Sequence, residues 1–175
     1  MDFVGVLQNL QNVDSFKQRV FKITTNNTID KTIMAIDFGT KKIGIAVSDK
    51  SGLIAFPKDI LIGNWNDADT VIETTIKQIN IHHPIAIIFG LPKRLDGTLH
   101  ENCNIIIPVA EQINKIVPVL LLDERFTTKF AIRNVYDKKK LSCNNKNKHK
   151  KCDNCDDDDV AATIILNDAL NLLQQ

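Results

Sequence analysis

Acidic side chains that could hold a divalent metal ion occur at three separate points of the sequence. Asp37 and the pair Asp123-Glu124 each follow a short apolar run, and Asp158 stands at the start of a long one. Carboxylate oxygens are hard ligands that suit Mg²⁺ or Mn²⁺. Two such ions about 3.5–4 Å apart can activate a water molecule and stabilise the leaving oxygen in phosphodiester hydrolysis. Each residue alone also fits an ordinary turn or helix cap, so the prediction rests on their joint placement.

The segment around Asp37 predicts the first two strands. The runs 33–36 and 43–47 have the length and composition of strands, and a short glycine-containing turn separates them. In the resulting hairpin Ile33, Ala35 and Asp37 share one face. A carboxylate in line with apolar side chains is costly to bury unless a positive charge compensates it, which a metal ion or a metal-bound phosphate would do. The alternative is that Asp37 only caps the turn.

Strands and helices alternate along the rest of the chain. We predict a third strand over 52–62 with an interruption at Pro57, and buried strands over 85–89 and 117–122. We predict helices over 70–81, 101–116, 128–137 and 158–174. The helix over 101–116 either begins near Ile107 or kinks at Pro108. This order predicts an α/β fold with a mixed five-stranded sheet and helices on both faces. Ligands bind beyond the carboxyl ends of such strands, and helix N-termini favour anions, so the acidic residues could converge there.

Length and composition indicate one ordinary globular domain. The chain has 175 residues, of which 43% are hydrophobic and 25% charged, and its formal net charge is +1. That charge gives no global argument for nucleic-acid binding, which must rest on local patches. No run reaches the roughly 18 apolar residues of a membrane span, so we expect no membrane partner. The four cysteines do not form a disulfide framework, and without a clear targeting signal we expect a cytoplasmic location, an organelle remaining open.

An N-terminal segment precedes the first strand. Apolar residues recur from Val4 to Val20 at helical spacing, which predicts one amphipathic helix followed by a polar linker. We therefore divide the chain into a helical extension and linker at 1–31 and a main domain at 32–175. The extension either packs on that domain or docks a partner.

Four motifs resemble those of one family. The segment Ala35–Asp49 resembles the opening motif of the YqgF (RuvX) family of Holliday-junction-resolvase-like proteins and pre-16S rRNA nucleases, and the segments Gly90–Gly97, Asp123–Thr128 and Asp158–Leu166 are similar to its later motifs, in family order. The resemblance implies an RNase H-like fold and a metal-dependent nuclease. Matched by position, Asp37 is the first-strand acid, Asp123 and Glu124 the acidic pair, and Asp158 the helix acid.

The same resemblance suggests roles for single residues. We expect Asp37, Asp123 and Asp158 to hold the metal ions. Glu124 is a further catalytic candidate whose metal role stays open, because adjacent strand residues point to opposite faces. Loop residues on the same side could hold the phosphate backbone without reading its sequence: Lys41, Lys42, Lys93, Arg94, Arg125 and Thr127.

A Lys/Asn-rich insertion at 138–157 departs from the family pattern. We expect it to be mobile, and its lysines could attract nucleic acid. Cys152 and Cys155 form a half-site for zinc, with Cys143 and His149 nearby, but the segment lacks a second well-spaced pair. We therefore do not expect zinc there.

Three kinds of function remain open at this stage. The leading hypothesis is a nuclease acting on structured nucleic acid, with ribosomal RNA precursor as the substrate that the family implies, and cleavage of branched DNA as the alternative. A four-way junction has two-fold symmetry, so a homodimer would favour DNA and a monomer RNA. The other hypotheses are a catalytically inactive nucleic-acid-binding protein and an actin-like ATPase; the latter needs two such domains, and 175 residues hold one.

Overall fold

A computed structural model describes residues 3–26, 30–94, 96–124 and 157–174. Within these ranges five strands form one sheet: β1 (Ile33–Phe38), β2 (Lys42–Ser48), β3 (Ala55–Ile62), β4 (Ala86–Leu91) and β5 (Val119–Asp123). The same ranges contain five helices: α1 (Phe3–Leu10), α2 (Val13–Asn26), α3 (Ala68–His82), α4 (Cys103–Ile113) and α5 (Asp157–Gln174). None of the helices in these ranges is long and apolar enough to span a membrane.

The sheet has the order β3-β2-β1-β4-β5 and mixed strand directions. The β1–β2 and β2–β3 pairs are antiparallel, because short turns connect them. The β1–β4 and β4–β5 pairs are parallel, because α3 and α4 carry the chain back to the end of the sheet at which these strands begin. The predicted α/β fold with a mixed five-stranded sheet is confirmed. Its three parallel strands β1, β4 and β5 end at one edge, where ligands bind in such sheets.

Two hydrophobic cores lie on opposite faces of the sheet. Met34 and Ile36 of β1 pack on one face with α1, α3 and α4, here called the α4 face. Ile33 and Ala35 pack on the other with α2 and α5, here called the α5 face. The predicted alternation along β1 and the helices on both faces are therefore confirmed. By the same alternation Asp37 lies on the α5 face.

Helix α5 runs opposite to β1 and β4. Near its C-terminus Leu173 lines the same cavity as Ile33 and Ile85, which lie at the beginning of these strands. Ile165, two turns earlier, lies beside Gly90 near the end of β4. The first turn of α5 therefore lies at the carboxyl ends of the parallel strands. The predicted helix over 158–174 agrees with the observed Asp157–Gln174.

The N-terminal segment forms two helices, so the prediction of a single helix is wrong. The chain breaks at Gln11 and Asn12, and the Asn12 side chain accepts a hydrogen bond of 2.9 Å from the Ser15 N–H, as an N-cap residue does. Leu10 of α1 is buried in the core of the α4 face and Phe16 of α2 in that of the α5 face. The break lets the extension contribute to both cores, which one straight helix could not do.

Other element boundaries differ from the predictions for local reasons. Helix α3 begins at Ala68, because the Asp67 carboxylate accepts a 2.9 Å hydrogen bond from the Thr70 N–H. Helix α4 begins at Cys103 and contains Pro108, so a start near Ile107 is wrong. Strand β3 continues through Pro57, which an edge strand tolerates. The helix predicted over 128–137 and the insertion at 138–157 lie outside the described residues, apart from position 157 in α5.

Candidate functional site

Asp37 lies near the carboxyl end of β1 between two glycines. It pairs with Gly44 on β2, and one residue beyond the Ile36–Phe89 pair it lies beside Gly90 on β4. Residues paired across strands share a face, so neither neighbour places a side chain next to the Asp37 carboxylate on the α5 face. Asp37 is partly exposed, unlike the buried residues of β1 on either side of it. Its carboxylate therefore has room for a ligand where the rest of the strand is closely packed.

Glu124 reaches the same region from β5. A Cβ atom built on Gly90 would overlap the Glu124 Oε1 atom and lie 2.8 Å from the Ile165 Cδ1 atom. The Glu124 carboxylate therefore lies over Gly90 on the α5 face. Strands β1 and β5 are two strand spacings apart, about 9.6 Å. Because the Glu124 carboxylate lies over β4, which is the strand between them, it is only about one spacing, about 4.8 Å, from β1 and therefore from the strand of Asp37. The structure thus brings Asp37 and Glu124 together on one face.

Gly90 has a role here that the sequence analysis did not assign. It follows an unbroken run of apolar residues at 85–89 and begins the second of the four motifs. The available signal was a glycine at the end of a fully buried strand, because glycine in a strand often marks a place where another group approaches the backbone closely.

Asp123 lies on the opposite face from Asp37. It pairs in register with Leu91, whose side chain is buried in the core of the α4 face. Its Oδ2 atom is 3.0 Å from the Lys93 Nζ atom, and the two side chains are only 14% and 16% exposed. Of the predicted acidic pair, the structure therefore places Glu124 on the Asp37 face and directs Asp123 to a lysine on the other side.

Asp158 is the second residue of α5. It precedes Ile165 by seven residues, which is about 10 Å along the helix axis. Because Ile165 lies beside Gly90, the backbone of the first turn lies beyond Gly90 at the carboxyl ends of the strands. The side chain of Asp158 is outside the described part of the chain. A helix N-terminus at this place adds a partial positive charge that favours anions.

The turn between β1 and β2 carries two of the predicted basic residues. It borders a cavity of about 360 Å³ lined by Asp37, Thr40, Lys41, Lys42, Gly44 and Asn102, among others. Lys41 is exposed and Lys42 partly buried. The turn is held by two backbone hydrogen bonds, from Gly63 N to Lys41 O (3.0 Å) and from Trp65 N to Thr40 O (2.9 Å). Both lysines therefore lie in a turn whose backbone is held in place and that borders the cavity lined by Asp37. Asn102, which the sequence analysis did not single out, gave no local signal.

The other predicted basic residues have different surroundings. Lys93 is engaged with Asp123 in the largely buried ion pair. Arg94 is exposed, and its guanidinium lies 3.6 Å from the Glu101 carboxylate. Arg125 and Thr127 lie outside the described residues, as do Cys143, His149, Cys152 and Cys155. Of the predicted nucleic-acid contacts in the described part of the chain, Lys41 and Arg94 are therefore the exposed ones, and Lys42 is partly buried.

The donor set suits a hard divalent cation. Asp37 and Glu124 contribute carboxylate oxygens from one face of the sheet, and such oxygens are the ligands that Mg²⁺ and Mn²⁺ prefer. Among the side chains that the structure describes, no three His, Cys, Asp or Glu residues come together as a metal-binding group. A complete site therefore needs a donor beyond Asp37 and Glu124, and the first turn of α5, which begins with three aspartates, lies at the same ends of the strands.

Comparison with known proteins places the chain among its relatives. The RuvX family model, described as Holliday junction resolvase, matches residues 31–172. A protein of Rickettsia bellii (strain OSU 85-389) named "Putative pre-16S rRNA nuclease" is 36% identical over 148 residues, which cover 82% of this chain and 88% of that protein. A protein of Orientia tsutsugamushi (strain Ikeda) with the same name is 34% identical over 148 residues, covering 83% and 87%.

Among solved structures, T. thermophilus RuvC in complex with Holliday junction substrate has a TM-score of 0.49 at 11% identity, covering 80% of this chain and 93% of that one. The family match begins at residue 31, directly before β1, and leaves α1 and α2 outside it.

Proposed function

Because the chain belongs to the RuvX (Holliday junction resolvase) family, we propose that it is a metal-dependent nuclease that hydrolyses phosphodiester bonds in structured nucleic acid. Its proposed substrate is a precursor of 16S ribosomal RNA. Relatives that are 34–36% identical over most of the chain carry that activity in their names. The family description favours branched DNA as the second candidate substrate.

The observation that carries the proposal is the placement of two carboxylates on one open face. Asp37 and Glu124 lie on the α5 face at the carboxyl ends of the strands, and glycines next to them leave space. With Asp158 as a third donor they would hold Mg²⁺ or Mn²⁺. When bound, such an ion lowers the pKa of a water molecule and withdraws charge from a phosphodiester oxygen. By holding the ion, Asp37 and Glu124 would set the place at which the scissile phosphate binds relative to the attacking water.

Basic residues beside the carboxylates would bind the neighbouring nucleotides. Lys41 and Lys42 border the cavity that Asp37 also lines, and Arg94 is exposed on the loop after β4. Lysine contacts to phosphate oxygens fix the register of a nucleic acid without reading its bases. Recognition of a structured substrate then depends on the shape of its backbone, as expected for an enzyme that cuts a nucleic acid at a defined folded structure.

The test is a cleavage assay with two labelled substrates, a precursor-like structured RNA and a four-way DNA junction. Each is incubated with Mg²⁺, with Mn²⁺ or with chelator, using the wild type, Asp37→Asn and Glu124→Gln. We expect metal-dependent cutting of the RNA that falls by more than about 100-fold in both variants, since outer residues of metal sites alone account for 10–100-fold. Glu73→Gln, which removes an exposed carboxylate from α3, is the matched control and should cut normally.

Other outcomes of the cleavage assay would favour a different function. Preferential cutting of the junction favours the resolvase, and a dimer in light-scattering measurements would agree with it. Binding without cutting under every metal condition favours an inactive nucleic-acid-binding protein. The cytoplasmic location and the oligomeric state stay predictions from the sequence.

A further inference from the structure

The ion pair between Lys93 and Asp123 lies directly behind the proposed metal site. Its Nζ–Oδ2 distance is 3.0 Å, and both side chains are largely removed from solvent on the α4 face. Glu124, the next residue along the chain, directs its carboxylate over Gly90 on the α5 face. One peptide unit therefore connects a buried salt bridge on one side of the sheet to a proposed metal ligand on the other.

The position of this peptide unit is determined at the end of a strand. The ladder between β4 and β5 ends at the Leu91–Asp123 pair, and β5 is an edge strand that pairs with β4 alone in the described sheet. A strand end of this kind frays unless side chains hold it. The Asp123 carboxylate is the side-chain group that ties the last residue of β5 to another element.

Lys93 is itself held by neighbouring structure. It forms an isolated β-bridge with Leu99, and the carbonyl of Pro92 accepts hydrogen bonds from the Cys103 Sγ (3.2 Å) and the His100 backbone N–H (3.1 Å). The Lys93 backbone is thus joined to the beginning of α4. The Lys93 ammonium group then connects the beginning of α4 to Asp123 at the end of β5.

We propose that Lys93 and Asp123 are positioning residues that hold the Glu124 carboxylate over Gly90 and so complete the metal site, an inference that rests on the proposed function. Asp123 is then not a metal ligand and Lys93 is not a phosphate contact. Removing either partner breaks the ion pair that ties the end of β5 to the segment of Lys93, which disturbs this strand end. Glu124 moves with that strand end, and the site loses affinity for the metal.

The test measures Mn²⁺ binding to the full-length protein by calorimetry and electron paramagnetic resonance, without substrate. We expect Lys93→Gln and Asp123→Asn each to weaken Mn²⁺ binding by about 10-fold or more, as for residues that orient a ligand. The swapped pair Lys93→Asp with Asp123→Lys keeps opposite charges in contact and should recover most of the affinity. Lys77→Gln, which removes an exposed lysine from α3, controls for net charge and should bind Mn²⁺ normally.

The two competing roles give opposite results. If Asp123 bound the metal, Lys93→Gln would leave Mn²⁺ affinity unchanged or raise it, because a nearby positive charge is removed, and the swapped pair would not bind. If Lys93 contacted phosphate, Lys93→Gln would weaken nucleic-acid binding and leave Mn²⁺ affinity unchanged. Either result overturns the inference. Thermal unfolding followed by circular dichroism checks that each variant is folded, and Asp123→Asn carries the test if Lys93→Gln does not fold. Lys93→Arg, which retains the charge, should bind Mn²⁺ normally.

Failure of the proposed function is recognised separately. If Glu124→Gln binds Mn²⁺ as tightly as the wild type, the metal site itself is refuted. Crystal structures of the wild type, of Lys93→Gln and of Lys93→Arg then decide the positioning role. Glu124 displaced from Gly90 in Lys93→Gln, with Lys93→Arg unchanged, supports it. Glu124 lying over Gly90 in all three overturns it.

Discussion

The carboxylate of Glu124 occupies the volume in which a Cβ atom of residue 90 would lie. The glycine at position 90 and the glutamate at position 124 are 34 residues apart in sequence; Gly90 belongs to β4, and Glu124 directly follows β5, the parallel neighbour of β4. A glycine in a strand interior normally weakens it, because it has no side chain to pack and loses more entropy on folding. Here its missing side chain makes room for a charged group in an otherwise apolar strand.

Replacing Gly90 with alanine should remove metal binding and cost stability. The added methyl overlaps Glu124 and lies 2.8 Å from the Ile165 Cδ1 atom, so we expect a loss of about 1–3 kcal/mol in the free energy of unfolding. The double variant Gly90→Ala with Ile165→Val deletes that Cδ1 atom. It should recover part of the stability and none of the Mn²⁺ binding. Urea unfolding and Mn²⁺ titration test both, and full recovery of binding would contradict the role of Gly90.

Replacing Lys41 with alanine should weaken nucleic-acid binding equally for all sequences. Lys41 is exposed beside the cavity that Asp37 lines, so it can neutralise one backbone phosphate. We expect the slope of log K against log salt concentration to fall by about 0.7–0.9, the value for one phosphate contact. Filter binding over a salt series measures it. Lys58→Ala, on the exposed edge strand β3, is the control, and an equal change in both variants would count against a specific contact.

Replacing Arg19 with alanine should weaken the attachment of α2 to the main domain. Its guanidinium donates to the Asn114 side-chain oxygen and, at 2.9 Å, to the Asn114 carbonyl. The same side-chain oxygen accepts from the Val119 N–H (3.0 Å), so Arg19 connects α2 to the beginning of β5. We expect a loss of about 1.5–3 kcal/mol, as for hydrogen bonds to a charged group.

Urea unfolding tests the Arg19 prediction. Lys22→Ala, also on α2 and exposed, is the control and should change stability by less than about 0.5 kcal/mol. Equal small losses in both variants would show that the extension is held by its apolar contacts alone.

The N-cap of α3 should make stability depend on pH in the acid range. The pKa of Asp67 is lowered because its carboxylate accepts hydrogen bonds from the backbone N–H and then the hydroxyl of Thr70. A carboxyl group with a lowered pKa in the folded state stabilises the protein above its unfolded pKa, about 3.9 for Asp. That contribution is lost as the pH falls through the folded pKa. The unfolding temperature of Asp67→Ala should therefore lie below that of the wild type at pH 6 and approach it at low pH, and a constant difference would refute the charge effect.

Much of the architecture could be predicted from the sequence. The alternation of Ile33, Ala35 and Asp37 along β1 and the length of the apolar run before Asp158 depend on strand and helix periods, which are local properties. The order of strands and helices then restricts the sheet topology, because parallel pairs need a crossover. The acidic residues at strand ends and at a helix start followed from the same patterns.

Contacts across the sheet could not be predicted in this way. Lys93 meets Asp123 and Gly90 meets Glu124 only after β4 and β5 pair in one particular register. The break between α1 and α2 likewise depends on two cores lying on opposite faces. Nothing in a single segment carries this information.

By itself, the sequence determined the succession of strands and helices along the chain and the positions of its acidic residues, because short-range periodicity sets both. The tertiary structure alone decided which of two adjacent acids shares the face of Asp37. That choice depends on the side from which the last residue of β5 is held, and a lysine from another strand end holds Asp123 on the α4 face. Because successive strand residues point in opposite directions, Glu124 is then directed towards Asp37.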